Sequence, residues 1–376
     1  MPMHEKSDAR VGVVSFRGVN NGPWNVHAFG LVDLVLDVFG GTELLVGPTT
    51  NRASSTLTTV GKRLDLVRKL PGRVTVSPTV SEAGPFDVVF AIAHDMTDLD
   101  RLYLSEADWY SDSAVKILVM VEAWPIDAEQ YPLSFARVLS SFDHVYTCLE
   151  SGAAALEAVS GRPVRVLAQS VDVLGSPWSD RARCDILSFG RRSEPQHELF
   201  GRWAGANGWY RYDTLPLSDN IDIVTHRRTM AESIAYAALT VSNYARFDDT
   251  RRIGDLRVVG TRFWEIVASG GVPIGDAPTE EMWGREFGDL PGFVQLDLSC
   301  DSSDVGRVSD AVAIGSDPEI RRANRAFALE RCDFAYRVDE IFGDAGISAP
   351  AALRDRLQAL AEASERVRSG EAHPVA

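Results

Sequence analysis

The sequence predicts an α/β fold built from two doubly wound units, each an open, mostly parallel sheet with helices on both faces. Three observations carry that expectation. The chain has 376 residues, more than a single hydrophobic core usually serves. Short apolar runs of strand length alternate with stretches of helical spacing along most of it. The alternation is interrupted by a segment rich in Gly, Pro, Ser and mixed charge, from about Gly175 to Arg183, and then restarts. The expected division is therefore a first domain over 1–175, a second over 176–345 and a helical tail over 346–376.

In the first domain, Val11 to Phe16 reads as a buried strand. A loop containing Gly, Asn and Pro then leads, past His27, into an apolar helix over Phe29 to Phe39. A dinucleotide-binding turn would need G-x-G-x-x-G there, and Gly18 and Gly22 do not supply it, which makes an NAD-linked oxidoreductase less favoured. Thr42 to Val46 and Val74 to Val76 are candidate strands, with a helix-like stretch near Thr59 to Lys69 between them. Asp87 precedes the apolar run Val88 to Ala91, and His94 and Asp95 stand where that strand should end. Carboxyl ends of strands face the ligand crevice in such sheets, so these two are candidates for chemistry. Lys116 to Val121, with Glu122 and Trp124 at its end, repeats the pattern. Asp143 to Thr147, a helix over Ser151 to Val159 and a strand over Pro163 to Leu167 complete the half.

The second domain opens with Cys184 to Phe189, ending in Gly190, Arg191 and Arg192 before a helix. Thr229 to Ala238 reads as helix and Leu239 to Ser242 as strand. The organising stretch is Arg257 to Asp276: an apolar pair, Val258 and Val259, then Gly260, then Thr261 as N-cap of a helix from Arg262 to about Ser269. Phe263, Ile266 and Val267 bury one face of that helix, and Gly270 and Gly271 end it. The position for a capping-box acid is Trp264, which leaves Glu265 without a local capping role. It either pairs with Arg262 on a solvated face or serves a ligand drawn to the helix N-terminus, for which phosphate is suited. A strand near Phe293 to Leu296, one long helix over Pro318 to Ile341 and an amphipathic tail helix through Leu353, Leu357 and Leu360 finish the chain.

The run Gly260, Thr261, Arg262, Phe263, Trp264, Glu265, with Ala268 to Ile274 after it, resembles the donor-site segment of two-domain, GT-B type glycosyltransferases. It is most similar to the group 1 (family 4-like) transferases and to their spore-maturation-like relatives. The resemblance implies two Rossmann-like domains facing a central cleft. It implies that Glu265 binds the ribose hydroxyls of a nucleotide-sugar and that the turn before the helix receives the diphosphate. The opening around Gly190 and Arg191 is similar to the phosphate-approaching arginine of the same family. The lysine that commonly follows is absent, Gln196 and His197 occupying its neighbourhood. Many retaining members carry a further glutamate in E-x7-E, where this chain has Arg257. An exostosin-like inverting transferase, also similar, stays open, as do a nucleotide-sugar epimerase and a non-catalytic nucleotide- or glycan-binding protein.

A net charge of −15 disfavours nucleic acid and anionic membrane as partners. Cys148, Cys184, Cys300 and Cys332 are scattered without metal-ligand spacing and read as free thiols of a cytoplasmic protein. No apolar run has the length of an integral membrane segment. The expected activity is sugar transfer from a nucleotide diphosphate-sugar to an unidentified small-molecule or glycan acceptor. No metal or other cofactor is expected, with arginines and a helix N-terminus holding the phosphates. Arg191, Gly260, Thr261, Arg262 and Glu265 are the donor-binding candidates; His94 and Asp95, then His27, are the catalytic ones, with Glu122 behind them.

Overall fold

Apolar, β-branched runs buried on both faces can lie only in the middle of a sheet covered by helices, and the chain builds two sheets on that rule. This computed structural model describes residues 9–20, 22–49, 74–77, 84–104, 113–130, 132–213 and 223–371; the helix expected over Thr59 to Lys69 lies outside them. One unit comprises the chain to Ala168 together with Arg337–Asp355, and the other Gln169–Tyr336 with Arg356 onward.

In the first unit, β1 (Val11–Ser15) is buried throughout and runs into α1 (Val26–Phe39). β2 (Thr42–Thr49), β3 (Val74–Ser77) and β4 (Val88–Ala93) follow, then α2 (Met96–Leu104) and β5 (Val115–Met120). α3 (Pro125–Gln130), α4 (Pro132–Leu139), β6 (His144–Thr147), α5 (Glu150–Ser160) and β7 (Arg165–Val166) complete the alternation. The seven strands lie in the order β3-β2-β1-β4-β5-β6-β7, parallel except for the β2–β3 pair. Strand order therefore reverses between β1 and β4, whose carboxyl ends flank the crevice where such sheets take ligands. Val14, Val89, Ala91 and Leu118 meet Leu99, Leu139 and Leu156 in the core of this unit.

In the second unit, β8 (Cys184–Phe189) leads to α6 (Glu194–Asn207), β9 (Tyr210–Asp213), α7 (Ile223–Ala235) and β10 (Ala237–Val241). α8 (Thr250–Ile253), α9 (Arg262–Ala268), β11 (Val272–Gly275), α10 (Glu281–Phe287) and β12 (Val294–Gln295) follow. The five-stranded sheet has the order β12-β11-β10-β8-β9, all pairs parallel, so its reversal falls between β8 and β10. Ile186, Leu239, Val272 and Ile274 pack with Phe200 and Trp203 of α6 and Val308 and Ala311 of α11 (Val305–Ser316).

The helix expected to run unbroken from Pro318 to Ile341 is two, α12 (Pro318–Arg331) and α13 (Phe334–Ala345). Asp333 makes the break. Its fully buried carboxylate accepts the N–H groups of Ala335 (2.9 Å) and Val173 (2.8 Å), competing with helical bonding at that point. The chain there also pairs with Val171 in a parallel bridge. In the first unit, α13 sets Phe342 against Phe39 and Phe90, with ring centres 4.7 and 5.6 Å apart. α14 (Ala351–Ser369) forms where the tail helix was expected. The helix read over Thr229 to Ala238 starts earlier and stops at Ala235, because β10 takes up the chain from Ala237.

Candidate functional site

In the second unit, the reversal of strand order gathers the groups singled out in the sequence. Gly190 ends β8 with φ of 71°, a left-handed turn that a side chain would strain, and the Tyr212 hydroxyl donates to its carbonyl (3.0 Å). A Cβ there would also lie 3.0 Å from Nη2 of Arg262. Arg262, at the start of α9, lays its guanidinium 4.2 Å over the Phe189 ring and donates from Nη1 to the Val241 carbonyl (3.3 Å), so it spans the ends of β8 and β10. Arg191 is exposed beside it and pairs with Asp248 (Nη1 to Oδ1, 2.6 Å).

Glu265 is half-buried one turn into α9. Burial pushes its carboxyl above the ordinary range, against the opposing charges of Arg262 and then Arg227. Burial likewise pulls the Arg262 guanidinium below its ordinary value; Glu265 opposes that shift and Arg191 adds to it. Arg191, Arg262, Arg227 and Glu265 thus form one chain of interacting charges. Arg227, on α7, was not anticipated from the sequence, where it stands in an ordinary run of surface charge.

The Gly260–Thr261 turn departs in one respect from its sequence reading. Thr261 has helical backbone (φ −51°, ψ −29°) and caps nothing; its hydroxyl donates to Oε1 of buried Gln169 (2.5 Å). The first turn closes instead through the Gly260 carbonyl, which accepts from the Phe263 N–H (3.2 Å). Arg257, at the position where the resemblance implied a glutamate, pairs with Asp276 (3.1 Å) and lies 5.1 Å over the Tyr244 ring. Beneath the crevice, Gln196 and Asn243 are buried and exchange amide hydrogen bonds of 3.0 and 2.8 Å. Gln196 also donates to the Leu296 carbonyl (2.9 Å), and Asn243 accepts from the Asp276 N–H (2.8 Å). Gly275 permits that close approach, since a Cβ would fall 2.2 Å from the Ser242 carbonyl oxygen.

In the first unit, His94 follows β4 and is 3% exposed, with Nδ1 lacking a hydrogen-bond partner and Nε2 3.9 Å from Oε1 of Glu122. Its own N–H donates to Oδ2 of Asp98 (2.9 Å), whose other oxygen accepts from Arg101 (2.8 Å) and, at 3.5 Å, from Asn20 of the loop after β1. Asp98 is buried, and burial pushes its carboxyl above the ordinary range. Asn25 donates to the Asn20 carbonyl (2.6 Å) and leaves a buried Oδ1 without a partner. Asp98 and Asn25 therefore tie together the loops that follow β1 and β4. Neither was anticipated, because a lone Asp or Asn in a polar stretch carries no period. Asp95 is half-buried and accepts the Thr97 N–H (2.8 Å), a cap at the start of α2. His27 is buried in the first turn of α1 rather than in the preceding loop, that helix beginning at Val26.

Cys148, Cys300 and Cys332 are buried, Cys184 is half-buried, and all are free thiols. Among the described residues no group of three or more His, Cys, Asp and Glu has metal-binding geometry, and no helix is long and apolar enough to cross a membrane.

No protein-family model matches the sequence, and no curated protein does. Among solved structures, the chain is similar to Anabaena HepE in complex with UDP-glucose, at 12% identity over 90% of this chain and 99% of that one, with a TM-score of 0.49. It is also similar to AviGT4, a glycosyltransferase involved in avilamycin A biosynthesis, at 13% identity over 93% and 98% of the chains and a TM-score of 0.45. TarM matches at 10% identity over 68% of this chain and 54% of its own, with a TM-score of 0.44.

Proposed function

We propose that this protein is a GT-B type glycosyltransferase whose second unit holds the nucleotide diphosphate-sugar donor. The observation that supports the reading is the convergence of Arg191, Arg262 and Glu265 where the strand order of that unit reverses, one cation on the turn after β8 and a cation and a carboxylate on α9. Breaking a sugar–phosphate bond leaves negative charge on the departing diphosphate. Guanidinium groups meet that charge with paired, directional hydrogen bonds, and their stabilisation grows as the bond breaks. In this reading Arg191 and Arg262 do that work in place of a metal. An ionised Glu265 accepts from the two ribose hydroxyls, one on each carboxylate oxygen. Gly260 and Thr261 line the approach of the diphosphate. In the first unit, His94 is the group proposed to meet hydroxyls of sugar or acceptor. Its unpartnered Nδ1 accepts or donates a hydrogen bond according to tautomer, and Asp95 and His27 are the further groups of that unit proposed for the chemistry.

A thermal-shift panel with UDP, GDP, dTDP, CMP, NAD and S-adenosylmethionine tests the donor site. A ligand at about 100 times its dissociation constant stabilises the folded state by roughly 2.7 kcal/mol. The expected outcome is a clear shift with one nucleoside diphosphate. Shifts with NAD or S-adenosylmethionine alone would overturn the reading.

A further inference from the structure

We propose that Asp248 is a built-in competitor for the anion site, a carboxylate that occupies Arg191 until a diphosphate displaces it and that reclaims Arg191 when the product leaves. The inference rests on the reading of Arg191 as a diphosphate ligand. Three features point to it. Asp248 holds Arg191 at 2.6 Å, and the two side chains are 44% and 43% exposed, so water and ligand reach both partners. Asp248 stands in the segment that follows β10, on the opposite side of the strand-order reversal from Arg191, so the pair closes across the mouth of the crevice. The turn that presents it is strained: Arg246, whose carbonyl accepts from the Asp249 N–H (2.8 Å), has φ of 54°, the only positive φ outside glycine among the described residues.

The charges near the site are Arg191, Arg262 and Arg227 against Asp248 and Glu265. With Asp248 in place, Arg191 is neutralised and the remaining attraction for an anion is smaller. An incoming diphosphate carries more charge than one carboxylate and offers a guanidinium paired oxygens, so it wins the contest. Once the sugar has been transferred, the nucleoside diphosphate remains on its arginines, and competition from Asp248 speeds its release. An exposed ion pair of this kind makes a modest difference, about two- to fivefold in affinity.

Titration calorimetry on the full chain, with UDP and with inorganic pyrophosphate as probes, tests the competitor. The proteins are the wild type, Asp248→Ala, Asp248→Glu and Arg191→Ala, each checked for an unchanged melting profile. Asp248→Ala should bind both probes about two- to fivefold more tightly, and Asp248→Glu should stay near wild type. Unchanged or weaker binding by Asp248→Ala, with binding by Arg191→Ala reduced, would show that Asp248 is a bystander or orients Arg191, and would overturn this inference alone. Binding by Arg191→Ala equal to wild type would remove the diphosphate reading of Arg191, and this inference with it.

Discussion

Glu265 is held where burial works against its charge, and the sign of the effect is definite. An unfolded glutamate ionises near its ordinary value of 4.5, whereas the folded one is raised by burial. Between the two values the folded state holds the proton more firmly, so stability declines as pH rises through that window. Above the raised value the penalty is constant. Glu265→Gln keeps the shape and removes the charge. At pH 7.5 it should melt higher, and the gap should narrow as pH falls toward 4.5. Nucleotide binding should weaken by about tenfold in the same variant, because an amide offers one accepting oxygen where the carboxylate offers two. Melting curves across pH with calorimetry on the same samples check both halves; a lower melting point at pH 7.5 would contradict the assignment of cost to the charge. Arg191, Arg262 and Glu265 were legible in the sequence because each follows an apolar strand or opens a helix that the pattern itself marks. Arg227 and Asp248 were not, since charged residues in polar stretches look alike until folding brings them to one edge. Thr261 illustrates a third case. Its residue type fits an N-cap, yet Gln169, far away in the chain, takes its hydroxyl.

A helix of seven residues such as α9 has little stability of its own, so its position is set by its neighbours. α12 supplies them. Arg325 donates to the Ala268 carbonyl at the end of α9, and Asn324 to the Gly271 carbonyl (2.7 Å) just beyond it. One turn earlier, Arg321 is fully buried and gives its guanidinium to the carbonyls of Ser179, Ala235, Ala237 and Gly315 at 2.6 to 3.3 Å, joining the ends of α7 and α11 to the start of β10. Burial pulls it down to about 10, still charged at neutral pH. Arg321→Met fills much of the space but leaves those carbonyls without donors, for which a loss of about 2–4 kcal/mol is expected in urea denaturation. A loss below about 1 kcal/mol would mean that the carbonyls find other partners. The alternation that predicts the elements says nothing of this brace, because the sequence around it, PEIRRANR, reads as a charged helix surface. Length was misread for the same kind of reason. Helical spacing continues through Cys332 and Asp333, and only the buried contacts of Asp333 break it. The strand β9 escaped notice because YRYD is a half-exposed edge strand with little apolar signal.

At the scale of the whole molecule, the chain passes between its two units after Ala168, Tyr336 and Asp355, and one ionic cluster within the second unit lies close in sequence to all three passages. Arg356 donates to Asp333 through Nε (2.8 Å) and Nη2 (2.7 Å), and Nη2 also reaches Asp172 (2.6 Å). Asp333 is fully buried and Arg356 is 21% exposed, so this is a pair largely withdrawn from water rather than a surface contact. Removing one member of such a pair is far more damaging than exchanging both, because it strands a charge. Arg356→Ala should therefore lower stability by roughly 3 kcal/mol. In hydrogen exchange the amides of Val173 and Ala335, which donate to the stranded carboxylate, should lose protection relative to the core strand β10. Adding Asp333→Asn to Arg356→Ala should recover at least about 1 kcal/mol, since the neutral amide has no charge to leave unpaired. If the double variant is as unstable as the sum of the two single ones, the cluster fixes the chain by shape and backbone hydrogen bonding alone. Recovery would show that the ion pair itself holds this part of the chain, a feature that pattern along the sequence cannot display because Arg356 and Asp172 stand 184 positions apart.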